Sequence, residues 1–356
     1  MSDNPKKVEE QMEKAIFISS DCWLSVFHFL SPFQLGLEIA LISHRFDRFV
    51  DEHFKTRKFT LGFMKIRCRI GQNDKKGMEI VNAMENPLPI PQNPLPRKII
   101  GFKGICINYV DRNVLTFLHR FRSLFDFCGI NLCLQSIFGP HTLAFVLRNI
   151  WPLLNDNIRW IFLSPCDFLC IRKFAPAILS DCPSLRIVHF AGQFFPAFPP
   201  MDSANASDGQ AVAKWLLSPR PDGLPKLLRC GFRGNGKQWS SKMGALKASF
   251  SIASHRVNFI IYVWFCSSSF ADDSIFELNN KFTGEKLAMK KINNDGCFLL
   301  VRCPISRDEN KWTKWEEEAI ELNICGQWNK IDIGINEEGI GDGLLYETRD
   351  PIDQQK

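Results

Sequence analysis

The chain has 356 residues, of which 45% are hydrophobic and 23% are charged, a balance typical of a globular protein. No stretch approaches the roughly 20 consecutive apolar residues of a membrane-spanning helix, and the charged N-terminus MSDNPKKVEEQMEKAIF lacks the apolar core of a signal peptide. We therefore expect a protein of two or three domains that contacts no membrane. The 13 cysteines, an odd number mostly within apolar runs, favour a reduced compartment, cytoplasmic or nuclear.

The net charge of +6 is distributed unevenly along the chain. The segment Arg45–Lys76 contains 10 basic and 4 acidic residues, whereas Asp308–Lys356 contains 5 basic and 13 acidic residues. A basic segment of this kind can bind nucleic acid, form a solvated face or meet an acidic protein. Because no recognition helix, zinc-ligand spacing or stacking motif accompanies the charge, we predict no nucleic-acid partner.

The segment from Trp23 to Phe54 has three short helical patterns in succession. Ser19 or Ser20 can cap the first helix, Ser31-Pro32 ends it and begins the second, and Ser43 begins the third. The apolar stripe of the first helix consists of Trp23, Val26, Phe27 and Leu30, and that of the third consists of Phe46, Phe49, Val50 and Phe54. About 40 residues rarely bury enough surface to fold alone. Other parts of this chain or a second protein must therefore cover these faces.

This pattern resembles the F-box. Val26-Phe27-His28-Phe29-Leu30 matches the end of the first F-box helix, and Ser31-Pro32-Phe33-Gln34-Leu35 matches the turn that follows it. Ile42-Ser43-His44-Arg45-Phe46 is similar to the Val-Ser-Lys-Arg-Trp element. Ile18-Ser19 stands in place of the usual Leu-Pro step. The likeness to the expanded F-box family of plant-parasitic nematodes extends into LPRKIIGF, LRNIWP, DCPSLR, SDGQAVAKWL and KWTKWEEEAI.

The resemblance implies a substrate receptor of a Skp–cullin–RING ubiquitin ligase, a non-catalytic protein without a cofactor or metal. It implies that a Skp-type adaptor, and through it a cullin, binds the N-terminal helices, while the downstream domain binds a target protein. The residues expected to contact the adaptor are Ile18, Trp23, Phe27, Leu30, Pro32, Leu35, Ile42 and Phe46. The alternatives are an F-box-like interaction scaffold without coupling to a ligase, or a plain helical cap packed on the following domain.

Five segments follow from these patterns: a disordered N-terminus (1–16), F-box helices (17–57), a hairpin with a Pro-rich connector (58–96), a strand–helix domain (97–340) and a flexible tail (341–356). FTLGFMKIRCRI alternates as a β-strand does, and MEIVN is its candidate hairpin partner. NPLPIPQNPLPR excludes a helix or a central strand, which places a boundary there.

From residue 97 onward strand and helix patterns alternate, and the first strands recur every 25–30 residues, a period within the range of leucine-rich repeats. Short connections between strand and helix favour a mostly parallel sheet. We therefore predict an α+β protein whose main part is a leucine-rich-repeat-like α/β array. The array could be an open solenoid or a closed layer. FELNNKFTGEKLAMKKI, CFLLVRCPI, AIELNI and IDIGI are predicted to form antiparallel strands in a C-terminal cap.

Three further motifs suggest a site without completing one. Gly231–Gln238, GFRGNGKQ, matches a phosphate-binding loop except that Gln238 replaces the final Ser or Thr, so a surface turn is the expected structure. Cys166 and Cys170 lie one helical turn apart, but no second ligand pair completes a zinc site. Trp312 and Trp315 are expected to pack in the core, with a target-binding hot spot as the alternative. An unrecognised α/β enzyme stays the third functional alternative.

Overall fold

The computed structural model describes residues 18–30, 34–54, 59–70, 76–82, 86–88, 99–134, 139–203, 205–265, 275–292, 296–323, 326–341 and 344. Its helices are α1 Ser20–Phe27, α2 His44–His53, α3 Arg112–Cys128, α4 Pro140–Asn149, α5 Trp151–Leu154, α6 Pro165–Phe174, α7 Asp208–Leu216, α8 Gly236–Ser251 and α9 Glu309–Glu321, with a π-helical turn at Leu35–Ile39 between α1 and α2. Short 3-10 turns span Asn155–Asn157 and Glu337–Gly339.

The strands of these residues are β1 Phe59–Ile70, β2 Lys76–Asn82, β3 Pro87–Leu88, β4 Ile99–Ile107, β5 Ile130–Leu134, β6 Ile158–Leu163, β7 Ile187–Gln193, β8 Lys226–Phe232, β9 Phe259–Phe265, β10 Phe276–Asn280, β11 Glu285–Lys291, β12 Cys297–Pro304 and β13 Lys330–Ile333. They form one sheet in the order β10-β11-β12-β9-β8-β7-β6-β5-β13-β4-β1-β2-β3. The eight strands from β9 to β1 in this order are parallel, and antiparallel strands flank them on both sides.

The strand–helix alternation predicted after residue 97 is confirmed, and local signals explain where the helices begin. Asp111 accepts a hydrogen bond from the Val114 amide at the start of α3, and Ser207 forms a reciprocal capping box with Gln210 at the start of α7. The helical segment that contains Pro152 is split into α4 and α5, because proline cannot donate a hydrogen bond within a helix.

The predicted C-terminal cap is correct for β10, β11 and β12 but wrong for the last two patterns. AIELNI is not a strand, because Ala319, Ile320 and Glu321 form the end of α9. IDIGI supplies β13, which is not antiparallel: it pairs in parallel with β4 on one side and β5 on the other. A strand from late in the sequence therefore lies within the parallel region of the sheet.

The sheet does not end at the Pro-rich connector. Strand β1, which we assigned to the hairpin before the connector, pairs in parallel with β4 and contributes Leu61, Met64 and Ile66 to the main core. Of the connector itself, only residues 86–88 are described, and Pro87–Leu88 forms the short edge strand β3. Two predictions, the disorder of residues 1–16 and the flexible tail at 341–356, concern residues outside the described ones, except that residues 341 and 344 are described.

The two faces of the sheet are covered differently. The larger hydrophobic cluster combines one face with helices α1 to α8, including Phe117, Phe168 and Trp239. The smaller cluster lies on the opposite face and joins Trp160, Leu227 and neighbouring strand residues to α9. Among the described helices only α9 contributes to the second cluster. We call this second face, where the cluster extends from β5 to β12 in the sheet order, the α9 face of the sheet.

Candidate adaptor-binding surface

Helices α1 and α2 pack against each other through aromatic side chains. The rings of Trp23 and Phe46 meet edge to face at 4.9 Å between centroids, and those of Phe27 and His53 meet at 5.9 Å. Both predicted caps are present, since the Ser19 hydroxyl accepts from the Cys22 amide and the Ser43 hydroxyl accepts from the Phe46 amide. These contacts position the short helices as one unit.

The same helices pack against the rest of the chain. Phe27, Leu35, Ala40 and Val50 are buried and belong to the same continuous cluster as the core of the sheet. The apolar stripes predicted for these helices are therefore covered, at least in part, by the chain itself. This packing is what the hypothesis of a plain helical cap predicts.

The residues expected to contact an adaptor differ widely in exposure. Ile18 and Ile42 are exposed; Trp23, Leu30 and Phe46 are half-buried; Phe27 and Leu35 are fully buried; and Pro32 lies outside the described residues. Phe27 and Leu35 thus stabilise the chain and present no surface to a partner. The apolar stripe of α1 marked buried or half-buried positions except at Val26, which is exposed, and it could not distinguish burial by this chain from burial by a second protein.

Exposed apolar side chains lie at both ends of the helix pair. Phe29, just after the end of α1, is 88% exposed, and Ile42, just before α2, is 62% exposed. Val26 and Ile18 are also exposed, and the Arg45 guanidinium donates a hydrogen bond to the Ile18 carbonyl at 3.2 Å. We define the exposed adaptor surface as Ile18, Val26, Phe29 and Ile42. Phe29 was not among the predicted contacts; its position off the stripe of α1 was the available signal.

Three ionisable side chains of this region have shifted pKa values. Burial raises the pKa of the Glu38 and Asp47 carboxyls, and for Asp47 the neighbouring Asp51 adds to the increase. Burial and the nearby His28 lower the pKa of His53, whose ring lies 4.7 Å from that of His28. These shifts favour neutral forms, as expected next to an apolar surface.

The loop at Gly231–Gln238 connects β8 to α8, as a phosphate-binding loop would, but its own side chains satisfy the helix terminus. The Asn235 side chain accepts from the Gln238 amide, and the Gln238 side chain accepts from the Asn235 amide, both at 2.9 Å. At Gly231 an added Cβ would come within 2.7 Å of the Trp264 indole nitrogen. The glycine is therefore required for packing against Trp264.

Substitution of Lys237 by alanine should leave nucleotide affinity unchanged, because the Gln238 amide at the start of α8 already donates to the Asn235 side chain and the Lys237 side chain is exposed. Isothermal titration of the wild type and the variant with magnesium ATP measures this, and we expect no binding heat for either protein. A micromolar affinity that the substitution abolishes would contradict the expectation.

Other candidate groups have structural explanations. Cys166 and Cys170 are exposed and free, and no cluster of metal-ligating side chains occurs among the described residues. Trp312 is buried and its ring meets that of Trp315 at 5.2 Å, which supports core packing. His189 is enclosed by aromatic rings on the α9 face, where burial and, secondly, Arg229 lower its pKa to about 4.

The sequence patterns did not identify the side-chain amine of Lys226 as buried. Lys226 lies in β8, where its Nζ donates to the Trp215 carbonyl and lies 5.1 Å from the centre of the Trp215 ring. Burial lowers its pKa to about 7. The contacts with Trp215 account for this side chain as a structural residue.

No helix in the described part of the chain combines the length and apolar composition needed to cross a bilayer.

Of the predicted adaptor contacts, Ile18 and Ile42 are thus exposed, and Val26 and Phe29 add exposed apolar side chains that were not predicted. No protein-family model matches the chain, and no curated protein matches its sequence.

Proposed function

We propose that this chain is the substrate-recognition subunit of a Skp–cullin–RING ubiquitin ligase. The observation that carries the proposal is the exposed adaptor surface, with Phe29 and Ile42 presented by two capped helices in a segment that resembles the F-box. Side chains of this size are costly to leave in water, and burying each contributes about 1.5–3 kcal/mol. A Skp-type adaptor would supply the apolar partner surface.

The chain acts by proximity in this proposal. Ubiquitin transfer is carried out by other subunits, and this protein raises the local concentration of a target beside them. It therefore needs two binding surfaces, one for the adaptor and one for the target, and no catalytic group of its own.

The target would bind the strand–helix domain between residues 97 and 340. The cluster that contains helices α3 to α8 lies on one face of the parallel strands, and α9 covers part of the other. This arrangement supports a leucine-rich-repeat-like array with a sheet face available to ligands. The insertion of β13 between β4 and β5 departs from the strictly sequential strand order of a solenoid.

Replacement of both Phe29 and Ile42 by aspartate should abolish adaptor binding without unfolding the protein. The two side chains are exposed, so the substitutions remove contacts with a partner and few within the chain. The expected loss of affinity is at least about tenfold per position. Pull-down and biolayer interferometry with a purified Skp-type adaptor measure it.

The matched control is Phe282→Asp, because Phe282 is a similarly exposed aromatic residue in the turn between β10 and β11. That variant should bind the adaptor as the wild type does, and thermal melts should coincide for all three proteins. Undiminished binding by the Phe29→Asp, Ile42→Asp protein would refute the assigned surface. Absence of adaptor binding by the wild type would favour the scaffold without coupling to a ligase.

A further inference from the structure

Strand β10, Phe276–Asn280, forms one edge of the sheet and pairs only with β11 among the described strands. It contains no proline or lysine, and its register with β11 has no bulge. The strand at the opposite edge, Pro87–Leu88, is two residues long and begins with a proline. Short length, proline, bulges and charged side chains protect edge strands from pairing with further strands. Apart from the charge of Glu277, β10 lacks this protection.

The backbone groups of an antiparallel strand point alternately to its two neighbours. Pro304 of β12 has no N–H and lies opposite Glu285 of β11, so these two residues do not exchange hydrogen bonds. The backbone groups of Glu285 therefore point to Asn280, its partner on β10. By alternation, the N–H and C=O groups of Glu277 and Asn279 point outward, where they bind no backbone group of the described residues.

The side chains of β10 leave apolar surface at the same edge. Phe276 and Leu278 pack against the main core but are only half-buried. Ile275, which precedes the strand, is 59% exposed. A further strand beside β10 would cover more of these side chains and would supply partners for the outward backbone groups.

The sequence of β10 is complementary to itself in one antiparallel register. A two-fold axis beside Leu278 places this residue opposite its own copy and places Glu277 opposite Asn279 in both directions. Because Glu277 and Asn279 direct their backbone groups outward, each of the two pairs can exchange two hydrogen bonds, about four in all. A register centred on Glu277 would oppose two glutamates, which is unfavourable. A register centred on Asn279 would pair Glu277 with Lys281, which lies beyond the end of the strand.

We propose that β10 pairs with β10 of a second copy of this chain and joins the two sheets into one continuous sheet. The same surface serves both copies, as in other two-fold symmetric dimers. The contact is short, so the dimer belongs to the class of weak and reversible associations. The inference does not depend on the proposed function, because β10 contributes no residue to the exposed adaptor surface.

The register predicts opposite effects for two substitutions of Asn279, whose side chain is exposed. Asn279→Lys places a lysine opposite Glu277 of the second copy, whereas Asn279→Glu places a glutamate there. Sedimentation equilibrium of the full chain at increasing protein concentration measures the dissociation constant of the dimer. We expect a reversible dimer for the wild type, a dimer about fivefold tighter for the lysine variant and one about fivefold weaker for the glutamate variant.

Proline at the same position tests the backbone hydrogen bonds. Asn279→Pro removes an outward amide but no hydrogen bond to β11, and proline is tolerated at such positions of edge strands. This variant should dimerise at least about tenfold more weakly than the wild type. The matched control is Asn279→Ala, which retains the amide and should dimerise as the wild type does. Circular dichroism melts report whether each variant folds, and the two charge variants decide the question if the proline variant unfolds.

Three results would overturn the inference: a wild type that stays monomeric at every concentration, equal dimerisation of folded Asn279→Pro and Asn279→Ala proteins, or a tighter dimer for Asn279→Glu than for Asn279→Lys. A monomeric wild type that selects extended apolar peptides from a displayed library would assign this edge to a different protein instead. Adaptor binding should be the same for all these variants, so a failure of the dimer leaves the proposed function intact.

Discussion

Replacement of Glu285 by alanine is expected to lower the free energy of unfolding by about 3–5 kcal/mol, the usual cost of removing one member of a buried ion pair. Glu285 in β11 and Arg302 in β12 are both buried, and their closest atoms are 2.7 Å apart. Glu285 also accepts from the Val257 amide at 2.7 Å, and Arg302 donates to the His255 carbonyl at 2.9 Å. The substitution leaves a buried guanidinium and a buried amide without their acceptor.

Urea denaturation followed by circular dichroism measures the change. The double substitution of Glu285 by leucine and Arg302 by methionine should recover much of the loss, because no unpaired charge then stays buried. Substitution of Lys311 by alanine provides an exposed comparison, since its ion pair with Asp308 spans 3.6 Å at the surface and contributes about 0–1 kcal/mol. A Glu285→Ala protein that is no less stable than the Lys311 variant would contradict the expectation.

A chain that ends after Asn323 is expected to lose cooperative folding altogether. The truncation removes β13, whose Ile331 and Ile333 are buried and whose backbone pairs with strands on both sides. The remaining β4 and β5 would present unpaired edges in the middle of a parallel sheet, where no helix or loop protects them. Both the apolar burial and two ladders of hydrogen bonds are lost.

Size-exclusion chromatography and thermal melts of the truncated chain measure this effect. Addition of a synthetic peptide that covers residues 326–341 should restore part of the native signal, whereas a peptide of the same composition in scrambled order should not. A truncated chain that stays monomeric and melts in one transition near the temperature of the full chain would show that β13 is dispensable.

The elements after residue 97 could be predicted because their signals are local. Strand and helix periodicities differ, and cap residues such as Asp111 and Ser207 lie within four residues of the amides that they bind. The position of β13 could not be predicted in the same way. Its four residues are apolar enough for a buried strand, but nothing in them specifies β4 and β5 as partners.

The candidate sites likewise combine local features that the sequence shows with distant contacts that it does not show. The stripe through Phe27 indicated burial correctly except at Val26, whereas the identity of the covering surface depends on strands far along the chain. On the α9 face, Arg186 donates a hydrogen bond to Glu318, which is 132 positions away in the sequence. Sequence patterns detect which side chains avoid water, and tertiary structure decides which of them meet.

The insertion of β13 has a consequence for the order in which the protein is synthesised and folded. Asn329, next to β13, accepts a hydrogen bond from the Phe102 amide of β4, 227 residues earlier. At about 5–20 residues per second, the ribosome needs on the order of ten to fifty seconds to cover that distance. During this interval the edges of β4 and β5 that β13 later joins have no partner strand. We therefore expect the parallel region of the sheet to complete its folding only after β13 has been synthesised.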